Sequence, residues 1–217
     1  MVELDGPRLE PASGEAPTGL VVLLHGYGAD GADLIGLAEM WAPHLPTVAF
    51  VAPNAPDPCG MAPMGRQWFP LTLRDPSEYW RGVTAAAPVL DRFLDAELAR
   101  AGLDDSRLVL VGFSQGTMMA LHVAFRRPRA LAGLIGYSGR LAGPERLGED
   151  LRHRFPVLLV HGAADDVLPA ELTEQAAETL SGLGVPVTSR IEPGLGHGIN
   201  ETGLRLGAEF LGKVLPE

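Results

Sequence analysis

The pentapeptide Gly112-Phe113-Ser114-Gln115-Gly116 constrains this chain more than any other stretch. An apolar, β-prone run, Arg107-Leu108-Val109-Leu110-Val111, enters it, and a helix-forming run over 117–125 leaves it. A G-x-S-x-G pattern alone recurs by chance as a Gly-Ser turn. Between a strand and a helix it reads as an abrupt turn that strains the serine backbone and lifts its hydroxyl clear of the tip of a sheet. The two glycines leave room where side chains would meet neighbouring backbone. The N–H of Gln115 then points at whatever the hydroxyl attacks.

The rest of the chain supplies the sheet. Leu20-Val21-Val22-Leu23-Leu24, Val48-Ala49-Phe50-Val51, the run before Ser114, 131–137, Val157-Leu158-Leu159-Val160 and 185–191 all read as strands. Continuous apolar runs of this length suit strands buried on both faces. Helical patterns alternate with them over 32–41, 77–101, 117–125, 169–183 and 199–211. Pro88 lies inside the second and is expected to kink or restart it. The segment 139–155 is polar and Gly-rich and reads as surface connection, and 1–19 holds at most one weak strand. Alternating elements of this kind predict a parallel sheet covered on both faces, in one domain spanning 1–217. The stretch 53–76, dense in proline yet carrying Met61, Met64, Trp68 and Phe69, reads as a covering loop folded back on the body.

Charge and composition narrow the function. The 217 residues carry 17 basic and 27 acidic groups, a net charge of −10. That argues against nucleic acid or an anionic membrane as partner. No apolar run is long enough to span a bilayer, and the acidic N-terminus is unlike a secretory signal, so a cytoplasmic protein is expected. The single cysteine, Cys59, excludes an internal disulfide and a cysteine-based metal cluster. The single lysine, Lys213, excludes a phosphate-binding G-x-x-x-x-G-K loop.

A serine hydroxyl needs a base to take its proton, and the base needs an orienting carboxylate. In a parallel sheet such groups collect beyond the carboxyl ends of the strands. The polar residues just after predicted strands are His25, Ser114, Ser138, His161 with Asp165 and Asp166, and His197. The chain order expected on this topology is serine, acid, histidine, and His197 alone among six histidines follows the aspartate pair. His197 is therefore the expected base, with Asp165 or Asp166 as acid. His25 and His161 each precede a glycine and read as turn-stabilising groups bonded to backbone, and His122 as a core residue. The oxyanion donors are expected at the N–H groups of Gln115 and Tyr27. Gly26-Tyr27-Gly28-Ala29-Asp30-Gly31 also matches a dinucleotide fingerprint, but the place of its ribose-binding acid is held by Ala52-Pro53-Asn54.

With these residues assembled, the chain resembles the phospholipase/carboxylesterase family of α/β-hydrolases, which includes bacterial carboxylesterases and acyl-protein thioesterases. The resemblance covers about residues 20–211. It rests on His25-Gly26-Tyr27-Gly28-Ala29-Asp30, Trp68-Phe69, Gly112 to Gly116, His161-Gly162-Ala163-Ala164-Asp165 and Gly196-His197. It implies the α/β-hydrolase fold, a mostly parallel central sheet with helices on both faces and no large lid domain. It selects Asp165 over Asp166 as the acid, implies Tyr27 and Gln115 as oxyanion donors, and implies no metal or cofactor. The chain departs from the family pattern at Thr117, where many members have glycine, and at Pro70, where the thioesterases have aspartate after Trp-Phe. The expected activity is hydrolysis of small carboxylic esters of short to medium acyl chains through an acyl-serine. Acyl-protein thioesterase or lysophospholipase activity is the alternative, and an inactive binding protein on the same fold is the alternative of another class. Met61, Met64, Trp68, Phe69 and Leu168 are the expected acyl-binding wall. Trp41, Trp68 and Trp80 are expected either to line a contact between two copies of the chain or to pack under loops.

Overall fold

The computed structural model of the chain describes residues 3–60, 62, 64–72, 75 and 77–215. In chain order the strands are β1 (Arg8–Leu9), β2 (Gly19–Leu24), β3 (Val48–Val51), β4 (Asp57–Pro58), β5 (Arg66–Gln67), β6 (Leu108–Phe113), β7 (Gly133–Tyr137), β8 (Val157–Gly162) and β9 (Val187–Glu192). The helices are α1 (Gly31–Trp41), α2 (Ser77–Ala101), α3 (Gln115–Ala124), α4 (Pro144–Asp150), α5 (Glu171–Gly182) and α6 (Glu201–Val214). Seven strands form one sheet in the order β1-β3-β2-β6-β7-β8-β9, and β4 pairs with β5 in a separate short ribbon. Within the large sheet β1 alone is antiparallel to its neighbour; every other pairing is parallel.

Alternation along the strands sends side chains to two separate cores. Leu20, Val22, Leu24, Leu108 and Leu110 pack with α2, α3 and α5 on one face. Val21, Leu23, Val109, Val111 and Ile135 pack with α1 and α6 on the other. Because β2, β6, β7, β8 and β9 run parallel, their carboxyl ends share one edge. Leu24 pairs with Gly112, Phe113 with Tyr137, and Gly162 with Glu192 along it.

Two expectations need correction, and one of two alternatives falls away. The segment 139–155 contains α4: Gly143 turns left-handed at φ 62°, Pro144 opens the helix, and only Leu147 of α4 is buried. One buried position gives too little periodicity to read from sequence. The strand β9 is not covered on both faces. It has one neighbour, and Thr188, Ser189 and Arg190 are exposed, as an edge strand allows. The helix α2 runs through Pro88 without restarting, because Val83 and Ala86 before it and Leu90, Phe93, Leu94 and Leu98 after it share one buried face. The tryptophans also resolve: Trp41 and Trp68 are buried inside the subunit and half-buried Trp80 packs against His122, so Trp41 and Trp68 offer no surface to a second copy. Among the described residues no helix is long and apolar enough to cross a membrane.

Candidate active site

Ser114 stands where β6 ends and α3 begins, with φ 53° and ψ −115°. For a residue with a Cβ this is strained backbone, and it is held from several sides. Ser114 N–H donates to Tyr137 O at 2.9 Å, and Ser114 O accepts from Thr117 N–H at 3.0 Å. A Cβ on Gly112 would collide with the Gly116–Thr117 backbone, and one on Gly116 with the Leu24 carbonyl. The two glycines of the motif are thus required by the neighbours they touch. Thr117 is also accommodated: its hydroxyl donates to Tyr137 O at 2.8 Å, and its side chain fills the space left by Gly136 and Gly139.

His197 reaches the same edge on the loop between β9 and α6. Gly162 lets that loop approach, since a Cβ there would strike the carbonyls of Leu195 and Gly196. Ala164 N–H donates to Leu195 O at 2.8 Å and Ala163 N–H to Glu192 O at 2.9 Å. The His197 ring lies 4.9 Å from that of Phe113, the residue before Ser114. Its Nδ1–H donates to Asp165 Oδ2 at 2.7 Å, which leaves Nε2 as the acceptor nitrogen. Among the described residues Ser114 Oγ forms no hydrogen bond in this state; such contacts often tighten only when substrate is bound.

Asp165 is fully enclosed at its side chain. Its Oδ1 accepts from Val167 N–H at 2.9 Å and Leu168 N–H at 2.8 Å. Burial alone would push its pKa up. The Leu168 N–H, the His197 ring and the Val167 N–H outweigh burial and hold it below the ordinary aspartate value, so the carboxylate stays ionised. Asp166 is exposed, which separates the two adjacent aspartates that sequence spacing could not.

His161 has a larger part than a turn stabiliser bonded to backbone. It is fully buried, and its Nε2 lies 2.9 Å from Leu168 O and 3.0 Å from Asp165 Oδ2. Two acceptor oxygens facing Nε2 fix the proton there, and Nδ1 faces the Thr173 hydroxyl at 2.7 Å. Asp165 is therefore gripped from both sides. His25 keeps to backbone: Nδ1–H donates to Gly26 O at 2.7 Å, Nε2 accepts from Ala55 N–H at 2.9 Å, and burial pushes its pKa down. His122 is buried in α3, as expected.

Tyr27 N–H and Gln115 N–H find no acceptor among the described residues, so both donors are open at the elbow. The Tyr27 loop is bolted to the β4–β5 ribbon by Gly28 N–H to Arg66 O at 2.9 Å and Arg66 N–H to Ala29 O at 2.8 Å. The Tyr27 phenol bonds to the thiol of buried Cys59, which pushes its pKa up. The Gln115 side chain is a second fastening. Its Oε1 accepts from Trp68 N–H at 2.9 Å and its Nε2 donates to Phe69 O at 2.8 Å. The N-terminus of α1, where the dinucleotide fingerprint would bind phosphate, is occupied by the chain itself. Asp30 caps it, and Asn54 Oδ1 accepts from Gly31 N–H at 2.9 Å.

A cleft of about 190 Å³ opens beside Ser114, lined by Tyr27, Leu71, Tyr79, Gln115, Met118, Val167 and Leu168. Of the described residues of the expected wall only Leu168 lies there. Trp68 and Phe69 of the covering loop are buried in the core, with Trp68 Nε1–H bonded to His25 O at 3.0 Å. Met64 points into solvent at 91% exposure, and Met61 lies outside the described residues. Leu71, Tyr79, Met118 and Val167 were missed. Their one sequence signal was apolar character on elements bordering the elbow.

A family model described as Phospholipase/Carboxylesterase matches residues 10–215. The chain belongs to the phospholipase/carboxylesterase family. Its sheet and flanking helices are the α/β-hydrolase fold of that family. The crystal structure of esterase PE8 is similar to it at a TM-score of 0.95 and 45% identity, covering 98% of this chain and 100% of the other. Esterase YpfH of Escherichia coli is 27% identical over 91% of this chain and 84% of its own length. Acyl-protein thioesterase 1 of Schizosaccharomyces pombe is 30% identical over 76% of each.

Proposed function

We propose that this phospholipase/carboxylesterase family member is a serine hydrolase of carboxylic esters working through an acyl-serine intermediate. The observation that carries the reading is the 2.7 Å bond between His197 and Asp165, made at the sheet edge where Ser114 is held in strained backbone. Ser114 Oγ attacks the ester carbonyl carbon while His197 Nε2 takes its proton. The carbonyl oxygen becomes an oxyanion that accepts from Tyr27 N–H and Gln115 N–H. Collapse expels the alcohol, which leaves with the proton returned by His197. Water then repeats the sequence on the acyl-serine and releases the acid. Asp165 holds His197 in the tautomer that leaves Nε2 unprotonated at the start. The small apolar cleft favours short to medium acyl chains.

Substitution of Ser114→Ala is expected to abolish hydrolysis of aryl esters and covalent labelling by a fluorophosphonate. Turnover like that of the unmodified protein would overturn the reading. A second reading, acyl thioester hydrolysis, is favoured by the relatives named acyl-protein thioesterase 1. Rates on oxyester and thioester pairs of equal acyl length separate the two.

A further inference from the structure

Arg140 has no place in the chemistry described above, yet it stands beside it. The preceding residue, Gly139, packs so closely on Thr117 that a Cβ there would collide with the threonine side chain, and Thr117 is in the first turn after Ser114. From that point the Arg140 side chain reaches Tyr79, with its guanidinium carbon 4.5 Å from the ring centroid. Tyr79 in turn lines the cleft shared with Ser114. Among the described residues Arg140 makes no ion pair and no hydrogen bond, and its Nε is enclosed without a partner.

A guanidinium with no acceptor among the described residues leaves hydrogen-bonding capacity that the chain itself does not use. Here it belongs to a cation in a chain with ten more acidic than basic groups, so acceptors are plentiful elsewhere. Stacking on an aromatic ring uses the face of a guanidinium and leaves the edge formed by its terminal Nη1 and Nη2, rather than the enclosed Nε, open to a ligand. That edge matches the two oxygens of a carboxylate. We propose that Arg140 recognises an ionised carboxylate on the substrate, making the enzyme selective for esters that carry a second, charged carboxyl group a short apolar spacer away from the scissile bond. The spacer lies along Leu71, Tyr79 and Met118, and the carboxylate accepts from the terminal Nη1 and Nη2 groups of Arg140. This rests on the ester-hydrolase reading.

The test compares matched ester pairs on the full chain. One pair is the p-nitrophenyl monoester of glutaric acid against p-nitrophenyl pentanoate, with the charge in the acyl half. The other is phenyl acetate with and without a para-carboxylate, with the charge in the alcohol half. The readout is the ratio of kcat/KM for charged over neutral ester, in which any change in folded fraction cancels. Arg140→Gln is expected to lower that ratio about tenfold or more in at least one pair, mainly through KM, as loss of a charge-assisted hydrogen bond would. Arg140→Lys is expected to restore part of it. A smaller change in both pairs overturns the proposal. If the unmodified protein hydrolyses neither ester of either pair, or Ser114→Ala hydrolyses them equally well, the hydrolase reading itself fails.

Discussion

Gln115 serves two ends of the site at once. Its backbone N–H is open at the elbow, while its enclosed side chain bonds Trp68 N–H and Phe69 O. Gln115→Leu keeps the N–H but orphans two buried backbone groups, each worth about 1–3 kcal/mol. Urea unfolding should show a loss of about 2 kcal/mol or more, with fluorophosphonate labelling retained; unchanged stability would refute this account of the side chain. His161 is a positioning residue for Asp165. His161→Leu should lower kcat about tenfold with little change in KM, and His161→Gln, which keeps a donor, should recover part of it. Equal rates in the two variants would deny His161 that role. The convergence of Asp165 and His197 was legible because each follows a strand whose apolar run is unmistakable. The cleft wall was not. Its residues come from the covering loop, α2, α3 and the loop after β8, and sequence does not show which way their side chains turn. Trp68 and Phe69 are large and apolar, but the core claimed them first.

The element that holds Ser114 in place, α3, is buried along its whole length, and its one ionisable side chain is His122. Burial, with Arg126 adding to it and Asp150 opposing, pushes the His122 pKa down from 6.5 to about 4. Between those values the unfolded chain binds a proton that the folded chain refuses. Stability therefore falls as pH drops through that window, by on the order of 3 kcal/mol. His122→Leu should flatten this limb in urea melts at pH 7 and pH 4.5; an equally steep fall would place the acid sensitivity elsewhere. Strands and helices of this kind were readable because buried parallel strands are continuously apolar and long helices repeat their apolar face. Failures came where burial is partial: α4 with its one buried leucine, and β9 at the sheet edge. At Pro88 the helix is not restarted, since packing on both sides of it outweighs one missing hydrogen bond.

Arg127 ties distant parts of the molecule together. It is buried just beyond α3 and pairs with Asp91 and Asp95 of α2 and with buried Asp105 ahead of β6. Removing one partner of such a cluster strands the others, so Arg127→Ala should cost about 3–5 kcal/mol in unfolding free energy. A loss under about 1 kcal/mol would show the cluster to be solvated and weak. The fastening of the covering loop has a practical corollary for redesign. Gly65 sits against the Gly28 backbone, Arg66 is laced to Ala29, and Trp68 and Phe69 are clasped by Gln115. A loop grafted here from another hydrolase would have to bring all of these anchor points in register or dislodge the open N–H groups of Tyr27 and Gln115. On the proposed reading, chain-length preference is better retuned one side chain at a time, first at exposed Val167, since Leu71 also packs against the core.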